Sequence, residues 1–104
     1  MKDLNQLLKE YVLRSVADDY EEFERILAEV TGWAAARGIT VDPQGVLRAL
    51  DELISEGYAQ AYLLASTPPY STPVEHSAER VDDRWFYVTP RGKQLATQLQ
   101  KDWQ

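Results

Sequence analysis

The stretch from Thr40 to Ala65 constrains the fold most, because it reads as a capped amphipathic helix that turns directly into a strand. Asp42 is a residue type that caps helix N-termini, and Pro43 follows where a missing N–H costs nothing. Apolar side chains then recur at helical spacing, namely Val46, Leu47, Leu50, Leu53 and Ile54. Gly57 ends the helix, and alternating residues predict a strand over 58–65.

Two helices are predicted before this stretch. Apolar residues from Leu4 to Val16 recur with the period of a first helix of about three to four turns. Asp19 and Glu22 match a capping box, which predicts that a second helix of about eighteen residues starts there and ends at Gly38.

A second strand and a last helix are predicted after it. The aromatic and β-branched run from Trp85 to Thr89 predicts a strand that pairs antiparallel with 58–65. Prolines exclude helix and sheet interior from the intervening loop, Ser66 to Asp83. Thr89 and Pro90 then begin a C-terminal helix.

The resulting fold class is α+β, a single domain over 1–104 with three helices, a two-stranded antiparallel β-hairpin and a C-terminal helix. Three helices followed by a hairpin is the winged-helix arrangement, in which the hairpin is called the wing. A lone hairpin is marginal in water, so we expect it to pack on the helices.

Two motifs carry a family resemblance. ALDELISEGYAQAY passes from a helix into the wing, and WFYVTPRGKQLA contains a Thr-x-x-Gly turn at Thr89 and Gly92. With these motifs the chain resembles winged-helix regulators of the PadR and MarR type. The resemblance implies a dimeric transcriptional regulator that binds duplex DNA through helix 42–56 and wing 66–84. Residues implied to contact DNA are Gln44 and Arg48, with Asp51 as a further candidate, and Arg80 and Arg84 in the wing.

Charge opposes this use of the fold. The chain has a formal net charge of −6, and DNA-binding domains usually present a basic patch. The helix from Asp42 to Glu56 carries four carboxylates against Arg48, and the segment from Ser66 to Arg84 carries four against two arginines. The alternative is therefore an acidic winged-helix protein–protein interaction module that does not bind DNA.

Other candidate sites have simpler interpretations. His76, with Ser71, Ser77 and Asp82 nearby in sequence, lacks the rigid setting of a catalytic triad, so we expect a solvent-exposed loop histidine. The acidic cluster, which comprises Asp18, Asp19, Glu21, Glu22 and Glu24, is typical of a solvated helix N-terminus. Strand aromatics favour core and cross-strand packing; these are Tyr58, Tyr62, Trp85 and Tyr87. Tyr70, at the loop tip, is the exception and indicates either a contact or simple disorder.

No residue set points to catalysis, so we expect no enzyme activity, no metal and no cofactor. The absence of cysteine, of an apolar span and of a signal-peptide pattern favours a cytoplasmic protein without a membrane partner. Leu95, Leu99 and Trp103 form an apolar stripe, which predicts a homodimer through the terminal helices.

Overall fold

The structure, a computed structural model, describes residues 3–100. It is an α+β fold in which four α-helices accompany one four-stranded antiparallel sheet. The helices are α1 (Leu4–Val16), α2 (Phe23–Ala35), α3 (Pro43–Ser55) and α4 (Pro90–Leu99). The strands are β1 (Glu21–Glu22), β2 (Ala59–Leu64), β3 (Ser71–Val74) and β4 (Trp85–Val88), and a 3-10 helix (Ala78–Asp83) precedes β4.

The predicted antiparallel pairing of the two strands is confirmed, but they do not form a hairpin, because β3 lies between them in the chain, and the strand count of two is wrong. β2 and β4 pair antiparallel from Ala59 opposite Val88 to Tyr62 opposite Trp85. The sheet order is β1-β4-β2-β3, so two further strands form its edges. β1 has two residues, too few to show the alternation that identifies strands in a sequence. β3 contains a proline and lacks the aromatic run that identifies β4.

β3 lies inside the segment that we predicted as a loop, and Pro73 belongs to it. Ala65 N donates to Tyr70 O at 2.9 Å, which sets the alternation of hydrogen-bonded pairs along β2 and β3. Pro73, opposite Tyr62, then falls at a non-hydrogen-bonded position with its nitrogen toward the outer edge. Proline is tolerated at such an edge position, so it does not break the strand.

α2 begins later than its sequence predicts. It starts at Phe23 after Glu22, and no side chain caps it. The Asp19 carboxylate instead accepts from the neighbouring Tyr20 N at 2.7 Å. Glu21 and Glu22 pair with β4, so the residues predicted as the first turn of the helix form a sheet edge. The predicted capping box is therefore wrong, and α2 has 13 residues instead of about eighteen.

The core lies where the first three helices meet the inward face of the sheet. α1 packs against both α2 and α3, and it also contacts α4 and β4. The largest fully buried side chains are Val12, Leu13, Val16, Ile26, Val30, Val46, Leu50, Leu53 and Phe86. Every one of the first three helices and one central strand therefore contributes to a common core.

The predicted Thr-x-x-Gly turn is confirmed. Thr89 Oγ1 accepts from Gly92 N at 3.0 Å and donates to Gly57 O at 2.6 Å. Gly57 has a φ of +84°, the left-handed conformation expected after a helix. A Cβ on Gly92 would overlap the carbonyl oxygen of Tyr58. The turn therefore joins the start of α4 to the end of α3.

Candidate nucleic-acid interface

α3 is positioned by a strong N-terminal cap and a buried apolar face. The Asp42 carboxylate accepts from Gln44 N at 3.0 Å, and Pro43 occupies the first turn. The buried residues of the helix are Val46, Ala49, Leu50 and Leu53. Four residues spaced three or four apart lie on the opposite face of the helix, and we call them the α3 strip: Gln44, Arg48, Asp51 and Ser55.

The α3 strip carries polar groups with base-recognition chemistry at its N-terminal end. Gln44 and Arg48 are both exposed and lie one turn apart. Asp51 follows on the next turn, where its side chain is 44% exposed. The structure therefore brings the three residues that the sequence predicted in this helix onto one face.

Three carboxylates of α3 are engaged by neighbouring elements. Glu52 accepts a hydrogen bond from Asn5 Nδ2 of α1 at 2.8 Å. Glu56, at the C-terminal end of the helix, pairs with Lys9 Nζ of α1 at 2.6 Å. Asp51 Oδ1 lies 2.5 Å from His76 Nε2, which follows β3. These contacts partly offset the excess of carboxylates over cationic side chains that the sequence of this helix shows.

The side chain of His76 is buried, so the prediction that this residue is solvent-exposed is wrong. Its side chain is 5% exposed, and its ring meets Phe86 edge-on with centroids 5.3 Å apart. Nδ1 is buried without a hydrogen-bond partner among the described residues. Sequence reasoning missed the contact because its two partners, Asp51 and Phe86, come from other elements and only folding brings them together.

Arg80 and Arg84 lie apart from β2 and β3, on the segment that leads into β4. Arg80 is exposed on the 3-10 helix, and Arg84 is its half-buried C-cap. The Nε of Arg84 is buried without a hydrogen-bond partner in the described part of the chain. The 3-10 helix packs against α2, whereas α3 packs mainly against α1. Different helices therefore position these arginines and the α3 strip.

Of the four predicted strand aromatics, Tyr62 and Tyr87 pack on Tyr20, and Tyr58 and Tyr87 contact the hydrophobic core. Tyr20 meets Tyr62 edge-to-face at 5.1 Å between centroids and Tyr87 at 5.0 Å. Burial, followed by the neighbouring Tyr20 and Tyr87, raises the pKa of Tyr62. Tyr20 falls within the predicted second helix, but it precedes β1 and joins the sheet aromatics instead.

The other candidates give no site in the described residues. Over 3–100, no group of three or more potential ligands is placed to hold a metal ion, so the acidic cluster is not gathered around one point. No helix in that same range is long and apolar enough to cross a membrane.

No protein-family model matches the chain, and neither a curated protein nor a solved structure is significantly similar to it.

Proposed function

We propose that this chain is a winged-helix domain that acts as a transcriptional regulator and binds duplex DNA with α3 in the major groove. The order of its elements supports the proposal, because α1, α2 and α3 are followed by the β2–β4 pair and then by α4. In helix-turn-helix proteins the second helix of the motif enters the groove, and its N-terminal residues contact base edges. Here that helix is α3.

The observation that carries the proposal is the exposed Gln44–Arg48 pair on the first turns of α3. Glutamine pairs bidentately with adenine and arginine with guanine in the major groove, and each good pair contributes roughly 1–3 kcal/mol of discrimination. The neighbouring carboxylates Glu52 and Glu56 bond to α1. Their engagement reduces the repulsion that free carboxylates would exert on phosphate.

Arg80 and Arg84, on the segment that leads into β4, are the proposed phosphate contacts. Phosphate contacts fix the register of a protein on DNA and supply salt-dependent affinity. The proposed regulator is a homodimer that associates through α1 and α4. Leu95 and Leu99 of the predicted stripe are half-buried, and Trp103 lies outside the described residues.

Fluorescence anisotropy with a labelled mixed-sequence duplex tests the proposal. We expect binding at about 50 mM salt that weakens steeply toward about 200 mM, because phosphate contacts release counterions. Arg48→Ala is expected to lower the affinity by about tenfold, the loss of one good base contact. The matched control is Arg25→Ala, which removes an exposed arginine from α2.

The second candidate is the acidic protein–protein interaction module. The net charge of −6 favours it, because a protein that repels phosphate at long range associates slowly with DNA. Absence of any anisotropy change at low salt would exclude the first candidate and leave this one. An equal loss of DNA affinity in Arg48→Ala and Arg25→Ala would exclude α3 as the helix that contacts the bases.

A further inference from the structure

Asp51 combines an exposed carboxylate with a contact that restrains it. Its side chain is 44% exposed, and it lies on the α3 strip three residues after Arg48. One of its oxygens, Oδ1, lies 2.5 Å from Nε2 of His76. An ionised carboxylate only accepts hydrogen bonds, so His76 is the donor of this contact. One oxygen of Asp51 is therefore engaged, while the carboxylate as a whole stays accessible.

His76 is itself held by the core. Its side chain is only 5% exposed, and its ring meets the fully buried ring of Phe86 edge-on. The end of the strand before it is anchored as well, because Gln60 of β2 donates to Val74 O at 3.0 Å. A histidine held in this way offers its donor in one place, so it restricts the orientations of the Asp51 carboxylate. A side chain that is oriented before its ligand arrives loses less entropy on binding.

A carboxylate suits one base in the major groove better than the other three. Guanine presents two acceptors there, and thymine presents an acceptor and a methyl group, so neither base can donate to it. Adenine has a donor, but its N7 acceptor lies beside that donor and repels a carboxylate. Cytosine presents its N4 amino group alone. A carboxylate on a helix in this groove therefore selects cytosine.

We propose that Asp51 is a specificity-determining residue that accepts a hydrogen bond from N4 of a cytosine, and that His76 is its positioning residue. This inference rests on the proposed binding of DNA by α3. It adds a third base to the adenine and guanine that suit Gln44 and Arg48. Arg48 and Asp51 are roughly 4.5 Å apart along the helix axis, close to the roughly 3.4 Å between stacked bases. The cytosine is therefore expected in the same base pair as that guanine or in a neighbouring one.

Selection of duplexes from a random-sequence pool by the full chain tests the proposed base contact. We expect the natural chain to enrich sites with a cytosine at one position. Replacing that C·G pair with T·A is expected to lower the affinity about fivefold, the lower end of what a good base contact contributes. In Asp51→Asn the preferred base at that position is expected to change from cytosine to adenine, because an asparagine amide pairs bidentately with adenine.

Glu24→Asn is the matched control for the loss of charge. It removes a carboxylate from an exposed position of α2. Both variants lose one negative charge, so both are expected to bind duplex DNA more tightly than the natural chain. Only Asp51→Asn is expected to change the preferred base.

His76→Phe tests the positioning role, because phenylalanine keeps an aromatic ring beside Phe86 but removes the donor. The preference for the C·G duplex over the T·A duplex is expected to fall about threefold, less than in a variant that loses the base contact itself. Affinity for the T·A duplex is expected to stay unchanged. His76→Gln, whose amide can donate to Asp51, is expected to retain most of the preference.

The outcomes separate this inference from the proposed function. Absence of binding to any duplex would overturn both. Binding without a preferred cytosine, or with the same preferred bases in the natural chain and in Asp51→Asn, would overturn this inference alone. An equal loss of affinity for the C·G and T·A duplexes in His76→Phe would overturn the positioning role of His76.

Discussion

At the scale of single residues, Gly92 has less room for a side chain than any other glycine of the chain. The first turn of α4 passes so close to the Tyr58 carbonyl that a methyl group would overlap backbone atoms. A flexible side chain can move away from such an overlap, whereas this carbonyl is held because Thr89 N donates to it at 3.0 Å. The identity of residue 92 is therefore set by space, not by helix propensity.

Gly92→Ala is expected to lower the free energy of unfolding by about 3 kcal/mol, the upper end of the usual cost of overpacking. Urea denaturation measures the change. The control is Gly32→Ala in α2, where a Cβ would meet no atom within 4 Å. That variant is expected to gain about 0.5–1 kcal/mol from helix propensity, and equal effects of the two substitutions would contradict the close contact.

Glu21 is a residue whose charge opposes folding. Burial, and then the nearby Glu29, raises the pKa of the Glu21 carboxyl, although Arg25 acts in the other direction. A carboxyl with a raised pKa in the folded state stabilises the protein below its ordinary pKa, and this contribution is lost as the pH rises through the raised value.

Glu21→Gln removes this titration. Chemical denaturation across about pH 4 to 7 is expected to show the variant gaining stability relative to the natural chain as the pH rises. The gain at neutral pH is expected to be no more than about 0.5 kcal/mol, because Glu21 is partly solvated and screening limits such effects. A stability difference between the variant and the natural chain that stays constant across this pH range, or narrows as the pH rises, would contradict the raised pKa of Glu21.

At the scale of elements, α3 and α2 differ in how they begin. Asp42 caps α3 with a side-chain bond to Gln44 N, whereas Glu22 precedes α2 without a capping bond. Asp42→Ala is expected to lower the free energy of unfolding by about 1 kcal/mol. Glu22→Ala, the matched control, is expected to change it by less than about 0.5 kcal/mol, the usual range for surface substitutions. Thermal or urea unfolding that gives equal losses would contradict the role of Asp42.

The elements that the sequence predicts correctly are those with a complete local signal. α3 has a cap, a proline, an apolar face and Gly57 at its end, and the β2–β4 pair has alternation and aromatic residues. β1 has no such signal, because Glu21 and Glu22 become a strand only through pairing with β4. The burial of His76 is likewise determined by Asp51 and Phe86, which are distant in sequence.

At the scale of the whole molecule, the distribution of charge matters more than its sum. The net charge of −6 is unfavourable for DNA, yet Glu52 and Glu56 bond to α1 and leave Gln44 and Arg48 exposed beside them. The outer part of the β2–β3 hairpin, in contrast, has no charged residue and exposes Leu63, Leu64 and Tyr70. The two surfaces therefore differ in the partner they suit and in how salt affects that partner's binding.

Titration of a ¹⁵N-labelled sample with a short mixed-sequence duplex at low salt, followed by NMR, tests the proposed role of α3 most directly. We expect the largest chemical-shift changes at the backbone amides of residues 44–48 and at the Gln44 side-chain amide, with smaller changes in the segment of Arg80 and Arg84. Shift changes confined to the β2–β3 hairpin would contradict the account. So would the absence of any change at a duplex concentration about tenfold above the Kd that DNA-binding proteins usually have for non-specific duplex.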